Sequence, residues 1–391
     1  MKKPSQKTRL IRENIAQTPF REHSEGLFLS SSFTFPDAET AAEKFAETAA
    51  DYIYSRFSNP TVSALNHRAA ILEGGEAALS TASGMAAILA TVMGICQAGD
   101  KIVCGANAFG STLRLLDNFI GKFSVTVEYV NSAKTEDWDR AITSDTVLLL
   151  LETPSNPMLE VADIAALAVL AQKAGAVLAV DNCFCPFGQK PLSMGADLVI
   201  HSGTKYLDGQ GRAIGGIIIG GKEIMYEKIY PFLRSGGPAI SPFNAWVHLK
   251  GLETLPLRIR AHSEAALFVA DFLEKQQTVE KVLYTGLKSH PQHDLAMRQQ
   301  GGLGGGIISL RVKGGRDCAW RFMNGLKNFS ITANFGDTKS TVVHPATTTH
   351  AKMTVELRQT LGISDNMVRL SIGLEAVEDL LDDLAQSLAA I

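Results

Sequence analysis

Six short apolar runs, most of them closing on a polar or small residue, constrain this chain more than any other feature. They are DKIVC, SVTVEYV, TVLLLLE, AVLAVD, DLVIHS and GGIIIGG, and they fall between residues 100 and 221. Their aliphatic and β-branched side chains are nearly continuous, so such strands need cover on both faces. Helical stretches such as ADIAALAVLAQKAG separate several of them and supply it. Strands alternating with helices in this way predict an α/β fold built on a mostly parallel sheet.

The chain is long enough for more than that sheet. Its 391 residues, 46% of them hydrophobic, exceed the roughly 250–300 at which single cores stop growing. Residues 1–60, with SSSFTFPDAE and YSRFSNPT, carry turn chemistry and read as an arm. Residues 61–250 hold the strand–helix alternation and residues 251–391 a smaller α+β domain, with ALFVADFLEKQ and VEDLLDDLAQSLAAI as amphipathic helices and GGIISLRV and NMVRLSIG as strands. A net charge of −3 without blocks of like sign argues against nucleic acid or an anionic membrane as partner. The longest uncharged stretch, AALSTASGMAAILATVMGICQAG, is diluted by small polar residues and reads as a buried helix after a turn. Five scattered cysteines make no disulfide framework and fit a reducing cytoplasm. The basic start, MKKPSQKTRLIREN, precedes no apolar segment and does not read as a secretory signal.

The polar endings of the strands carry the chemistry. In an open parallel sheet, ligands collect in the crevice beyond the carboxyl ends of the strands. There the sequence places Glu152 and Asn156 in TVLLLLETPSNP, Asp181 in AVLAVDNCF, and Ser202, Thr204 and Lys205 in DLVIHSGTK. A fourth ending, STASGMAAILATV, runs through small residues into a helix whose free N–H groups suit a phosphate. It lacks the glycine spacing of a dinucleotide fingerprint and the lysine of a Walker loop. A phosphate seat, a carboxylate for a ring nitrogen and an imine-forming lysine together describe pyridoxal phosphate.

With these residues in place, the chain resembles the Cys/Met-metabolism family of pyridoxal-phosphate enzymes, from about YSRFSNPT to MVRLSIGLE. The resemblance implies an aspartate-aminotransferase-like fold (fold type I) and a homotetramer of dimers whose active sites are shared, with the arm reaching the neighbouring subunit. It implies Lys205 as the Schiff-base lysine, Asp181 as partner of the ring nitrogen and Asn156 near the ring hydroxyl. Gly84, Met85, Ser202 and Thr204 would hold the phosphate, joined by Tyr54 and Arg56 from the neighbour. Arg369 would clamp the substrate carboxylate, with Ser340 beside it. Strand alternation agrees, because Val368, Leu370 and Ile372 share one face while Arg369 and Ser371 take the other.

Two departures narrow the reading. Phe109 in NAFGST stands where most relatives place a tyrosine, so it can stack on the ring without exchanging a proton, which shifts proton work to Lys205. The run GTKYLDGQGRAIGG replaces a GH(S/T)D-type sequence. With the later NFGDTKSTVVHPATTTH, these features look most like the branch of the family that makes homocysteine from O-succinylhomoserine and sulfide, a step of methionine biosynthesis. Arg212 is a candidate for the distal succinyl carboxylate; a loop arginine at the surface or a subunit contact is its plainer reading. Cystathionine γ-synthesis and methionine γ-elimination share the same motifs, and an inactive cofactor-binding regulator is the alternative of another class. No metal is expected, because Cys183 with Cys185, and His344 with His350, match no common ligand spacing.

Overall fold

A computed structural model describes residues 4–13, 18–46 and 52–391; the remaining parts of the expected arm lie outside the described residues. The larger sheet holds β1 (Ala77–Thr81), β2 (Lys101–Gly105), β3 (Thr126–Val130), β4 (Thr146–Glu152), β5 (Val177–Asp181), β6 (Leu198–Ser202) and β7 (Gly216–Gly220). Their order is β1-β7-β6-β5-β4-β2-β3. Neighbours from β3 to β6 are parallel, whereas β7 runs antiparallel to both β6 and β1. Every residue of β7 and nearly every residue of β4 and β6 is buried, as expected of strands covered on both faces.

The reversal at β7 has a use. The chain leaves β6 at Ser202, makes one turn through Gly203–Leu207 and returns along β7 from Gly216. The whole connection therefore stays at the carboxyl end of β6, beside the start of the helix Gly84–Ile95. That helix is capped by Ser83, whose side chain accepts a hydrogen bond from the Ala86 N–H.

The second sheet is mainly antiparallel, ordered β10-β11-β12-β9-β8, from β8 (Val279–Leu283), β9 (Ile307–Val312), β10 (Ser330–Ile331), β11 (Thr341–Val343) and β12 (Met367–Ser371). The 33-residue helix Pro242–Glu274 joins the two regions. Its Leu249, Leu252, Leu255 and Ile259 pack with Leu65, Leu72 and Val199 around the larger sheet. Further along, Ala266, Val269, Ala270 and Leu273 pack with Ile308, Leu310 and Leu370 of the smaller one. Residue 250, the expected division between the folded regions, lies within this helix. Among the described residues no helix is long and apolar enough to cross a membrane.

Candidate active site

The carboxyl ends of β4, β5 and β6, the turn after β6 and the edge of the smaller sheet enclose a cavity of about 420 Å³. That size suits a cofactor and a small substrate. Gly84, Met85, Phe109, Glu152, Asn156, Asp181, Ser202, Thr204, Lys205 and Arg369 all line it, so it gathers most of the site residues singled out in the sequence. The turn Gly203–Leu207 departs from helical geometry at Lys205, with φ −91° and ψ −128°.

Lys205 is held by partners from the smaller sheet region. Its Nζ donates to Asn334 Oδ1 at 2.6 Å and lies 4.7 Å from the centre of the Phe335 ring. Burial pulls this ammonium down to about 8; Arg369 adds to the shift, while Cys183 and Asp181 oppose it. An amine in that range exchanges protons near neutral pH, which an ordinary lysine does poorly.

The carboxylates lie one strand away. Glu152 and Asp181 pair in register at the ends of β4 and β5. Burial raises both, and the charge of Asp181 adds to the effect on Glu152, which is pushed well above the usual carboxylate range although the Phe109 N–H and Arg369 oppose it. Asp181 is kept lower by the Cys183 N–H, which donates to its Oδ1 at 3.2 Å, and by the nearby His201 and Lys205. Negative charge in the pair therefore concentrates on Asp181. Glu152 Oε2 accepts from the Phe109 N–H at 2.6 Å and so fixes the backbone of the aromatic residue on the cavity wall.

Arg369 projects from β12 and is 2% exposed. Its Nη1 donates to Asn156 Oδ1 at 2.9 Å and its Nη2 approaches the Ala333 and Asn334 carbonyls at 3.3 Å. Burial draws it down to about 10. Its Nε has no partner among the described residues. A buried guanidinium with an unanswered N–H, no paired carboxylate and a cavity in front of it fits an anionic ligand.

The anion end of the cavity is equally specific. A Cβ on Gly84 would lie 2.9 Å from Ser202 Cβ and 3.2 Å from its Oγ, so glycine lets the helix start close to β6. The free N–H groups of that helix start, with the Ser202 and Thr204 hydroxyls, are the donor set a phosphate requires. Anion seat, buried lysine, carboxylate and guanidinium are thus all present, and the residues fit pyridoxal phosphate.

A family model described as Cys/Met metabolism PLP-dependent enzyme matches residues 7–389. The chain belongs to this family. A Pseudomonas aeruginosa protein named O-succinylhomoserine sulfhydrylase is 50% identical over 385 residues, 98% of this chain and 95% of that protein. A Pseudomonas putida L-methionine gamma-lyase is 42% identical over 366 residues, 93% of this chain and 92% of its own. The crystal structure of a Campylobacter jejuni protein assigned as an O-acetylhomoserine (thiol)-lyase superposes with a TM-score of 0.94 at 30% identity, covering 98% of this chain and 99% of that one. It carries a pyridoxyl-lysine phosphate at its position 205. The chain is therefore a fold type I, pyridoxal-phosphate-dependent enzyme.

Four expected site residues do not reach the cavity of this chain. Tyr54 is 41% exposed, and the Arg56 guanidinium lies 4.7 Å from the Phe57 ring and bonds the Arg234 carbonyl. Ser340 is buried against Glu375 Oε2 at 2.9 Å and accepts from the Gly373 N–H at 2.8 Å. Arg212 binds its own loop, with Nε donating to Asp208 Oδ1 at 2.8 Å. Conversely, Ser83, Asn334, Phe335 and Thr349 line the cavity without having been singled out. Asn334 and Phe335 sit in the NFGDTKS segment, and nothing in their spacing marks them as neighbours of a lysine 129 positions earlier. Cys183 also lines the wall, where burial and Asp181 raise its thiol far above the ordinary range and keep it neutral.

Proposed function

We propose that this enzyme converts O-succinylhomoserine and sulfide to homocysteine and succinate, a γ-replacement in methionine biosynthesis. The 50% identity to the P. aeruginosa sulfhydrylase carries the choice of substrate. The cavity carries the chemistry. When bound, pyridoxal phosphate supplies an aldehyde for amines and an electron-withdrawing ring that acidifies the adjacent carbons of the substrate.

The protein's side chains supply the rest. Asp181 would stand beside the ring nitrogen and hold its proton in place, and the helix start at Gly84 and Met85, with Ser202 and Thr204, would seat the phosphate. Asn156 would face the ring hydroxyl, and Phe109 would cover the ring without a proton to exchange. Arg369 takes the substrate α-carboxylate through the N–H that has no internal partner. Lys205, its ammonium made easier to deprotonate by burial, would accept the protons from Cα and Cβ as the γ-succinate leaves and return them once sulfide has added at Cγ.

Tyr54 and Arg56, away from this cavity on a segment with exposed Phe20, Leu29 and Phe45, suit a neighbour's phosphate in a homotetramer built of dimers. Arg212, paired with Asp208 and 40% exposed at its side chain, is a candidate for the distal succinyl carboxylate, to be tested by the succinyl-over-acetyl preference of Arg212→Ala. A cytoplasmic setting suits five free cysteines.

One assay tests the whole reading. Purified enzyme is given O-succinylhomoserine or O-acetylhomoserine, with sulfide or cysteine, and the products are identified. Homocysteine from the succinyl ester and sulfide is expected. Cystathionine as the main product would identify a synthase, and 2-oxobutyrate a lyase. No product from any pair would leave a cofactor-binding protein without this activity.

A further inference from the structure

The cavity leaves unused a group of polar side chains buried on the other face of the larger sheet. Glu73, Asn182, Gln189 and His201 are each 2% exposed or less. Glu73 is the last residue of the helix Pro60–Glu73, immediately before the left-handed cap Gly74 at φ 76°. A carboxylate there faces the negative end of the helix dipole and gives up its hydration, so helix stability disfavours it on both counts.

What Glu73 touches is informative. Its Oε1 pairs with His201 Nε2 at 2.7 Å and accepts from Asn182 Nδ2 at 3.2 Å. Asn182 Oδ1 in turn accepts from Gln189 Nε2 at 3.0 Å, and the same Nε2 donates to the Thr153 carbonyl at 2.8 Å. Asn182 and His201 are the chain neighbours of Asp181 and Ser202, and side chains alternate across a strand. Each of the pair therefore stands behind a residue that lines the cavity. Thr153 directly follows Glu152 at the end of β4, three positions before Asn156. The ends of β4, β5 and β6 are thus tied together from the rear, at the level where they present their polar residues to the ligand.

We propose that Glu73 is a positioning residue for the cofactor site: through Asn182, His201 and Gln189 it fixes the strand ends that carry Asp181 and Ser202. The inference rests on assigning those two residues to the cofactor. Small displacements of such groups weaken binding and chemistry together, because both depend on fixed geometry.

The test uses the holoenzyme, with the cofactor dissociation constant and the visible absorption of bound pyridoxal phosphate as readouts at a temperature well below unfolding. Glu73→Ala leaves His201 and Asn182 without their shared acceptor. We expect the dissociation constant to rise ~10-fold and the absorption maximum to move, while Glu73→Gln, which keeps an acceptor oxygen, returns both most of the way. Should Glu73→Ala fail to fold, Asn182→Ala and Gln189→Ala cut one tie each and are judged by the same two readouts. Parental affinity and spectrum in the folded variants would overturn the proposal. Asp181→Asn runs alongside: if it too keeps parental affinity and spectrum, the site assignment has failed, whereas a loss in Asp181→Asn alone defeats only the role of Glu73.

Discussion

A lysine buried without a carboxylate against it is unfavourable as an ammonium, and Lys205 shows the consequence. Its folded value of about 8 lies below the 10.5 of a free side chain. Between those values the unfolded chain binds the proton that the folded chain has lost, so stability rises with pH across that window. Below about pH 8 both states hold the proton and the folded state carries the full burial penalty. Cofactor-free Lys205→Met is therefore expected to melt higher than the cofactor-free parent at pH 7, with the gap closing towards pH 10.5. Thermal melts of both proteins across this range check it; a gap constant with pH would contradict the shift. Arg369→Lys probes the opposite end of the substrate. Lysine has no rigid donor to replace the unpartnered Nε–H and leaves the Asn156 contact unmade, so kcat/KM should fall ~30-fold, the equivalent of about 2 kcal/mol, mostly through KM. Steady-state kinetics decides, and unchanged KM would remove the carboxylate from this residue. Residues that end an apolar run, Asp181 and Lys205 among them, were legible because the run itself says where the ligand side begins. Asn334 and Phe335 were not, since they meet Lys205 only after the smaller sheet folds against the larger one.

Among elements, the junction of β1 with the helix Gly84–Ile95 was readable from small residues that lead into an apolar run. Its reason became visible only with Ser202 in place. A methyl group on Gly84 would meet Ser202 Cβ at 2.9 Å, and backbone on both sides leaves little room to yield. Gly84→Ala is therefore expected to push the helix start away from β6 and weaken cofactor binding ~10-fold or more through the phosphate. Titration of the variant with pyridoxal phosphate, and with pyridoxal lacking the phosphate, separates this from a general defect: the loss should be confined to the phosphorylated form. Strands β2 and β4 to β7 were legible for the same reason that they are buried, as continuous apolar runs of the right length; β3, at the sheet edge, is mostly exposed. The connection through Gly203–Leu207 was not, because the direction of β7 depends on its pairing with both β1 and β6.

At the scale of the molecule, the helix Pro242–Glu274 explains why the pattern of helices and strands placed a change of character near residue 250. The helix serves two cores in succession, so its sequence changes partners midway without a linker to mark the place. The arm poses the larger question. Tyr54 and Arg56 stand apart from the cavity of their own chain, on a segment whose apolar side chains Phe20, Leu29 and Phe45 are exposed. If they complete a neighbour's site, damage to the arm and damage to the lysine lie in different sites of a mixed dimer. Arg56→Ala and Lys205→Ala, each weakly active or inactive alone, would then combine: in a mixed dimer one site keeps an intact Lys205 and receives an intact Arg56 from the other chain. Random pairing on co-expression makes half the dimers mixed, each with one working site of two, so about a quarter of parental activity should return. Activity that stays at the level of the separate variants, in a preparation shown by mass spectrometry to contain mixed dimers, would confine every functional residue to a single chain.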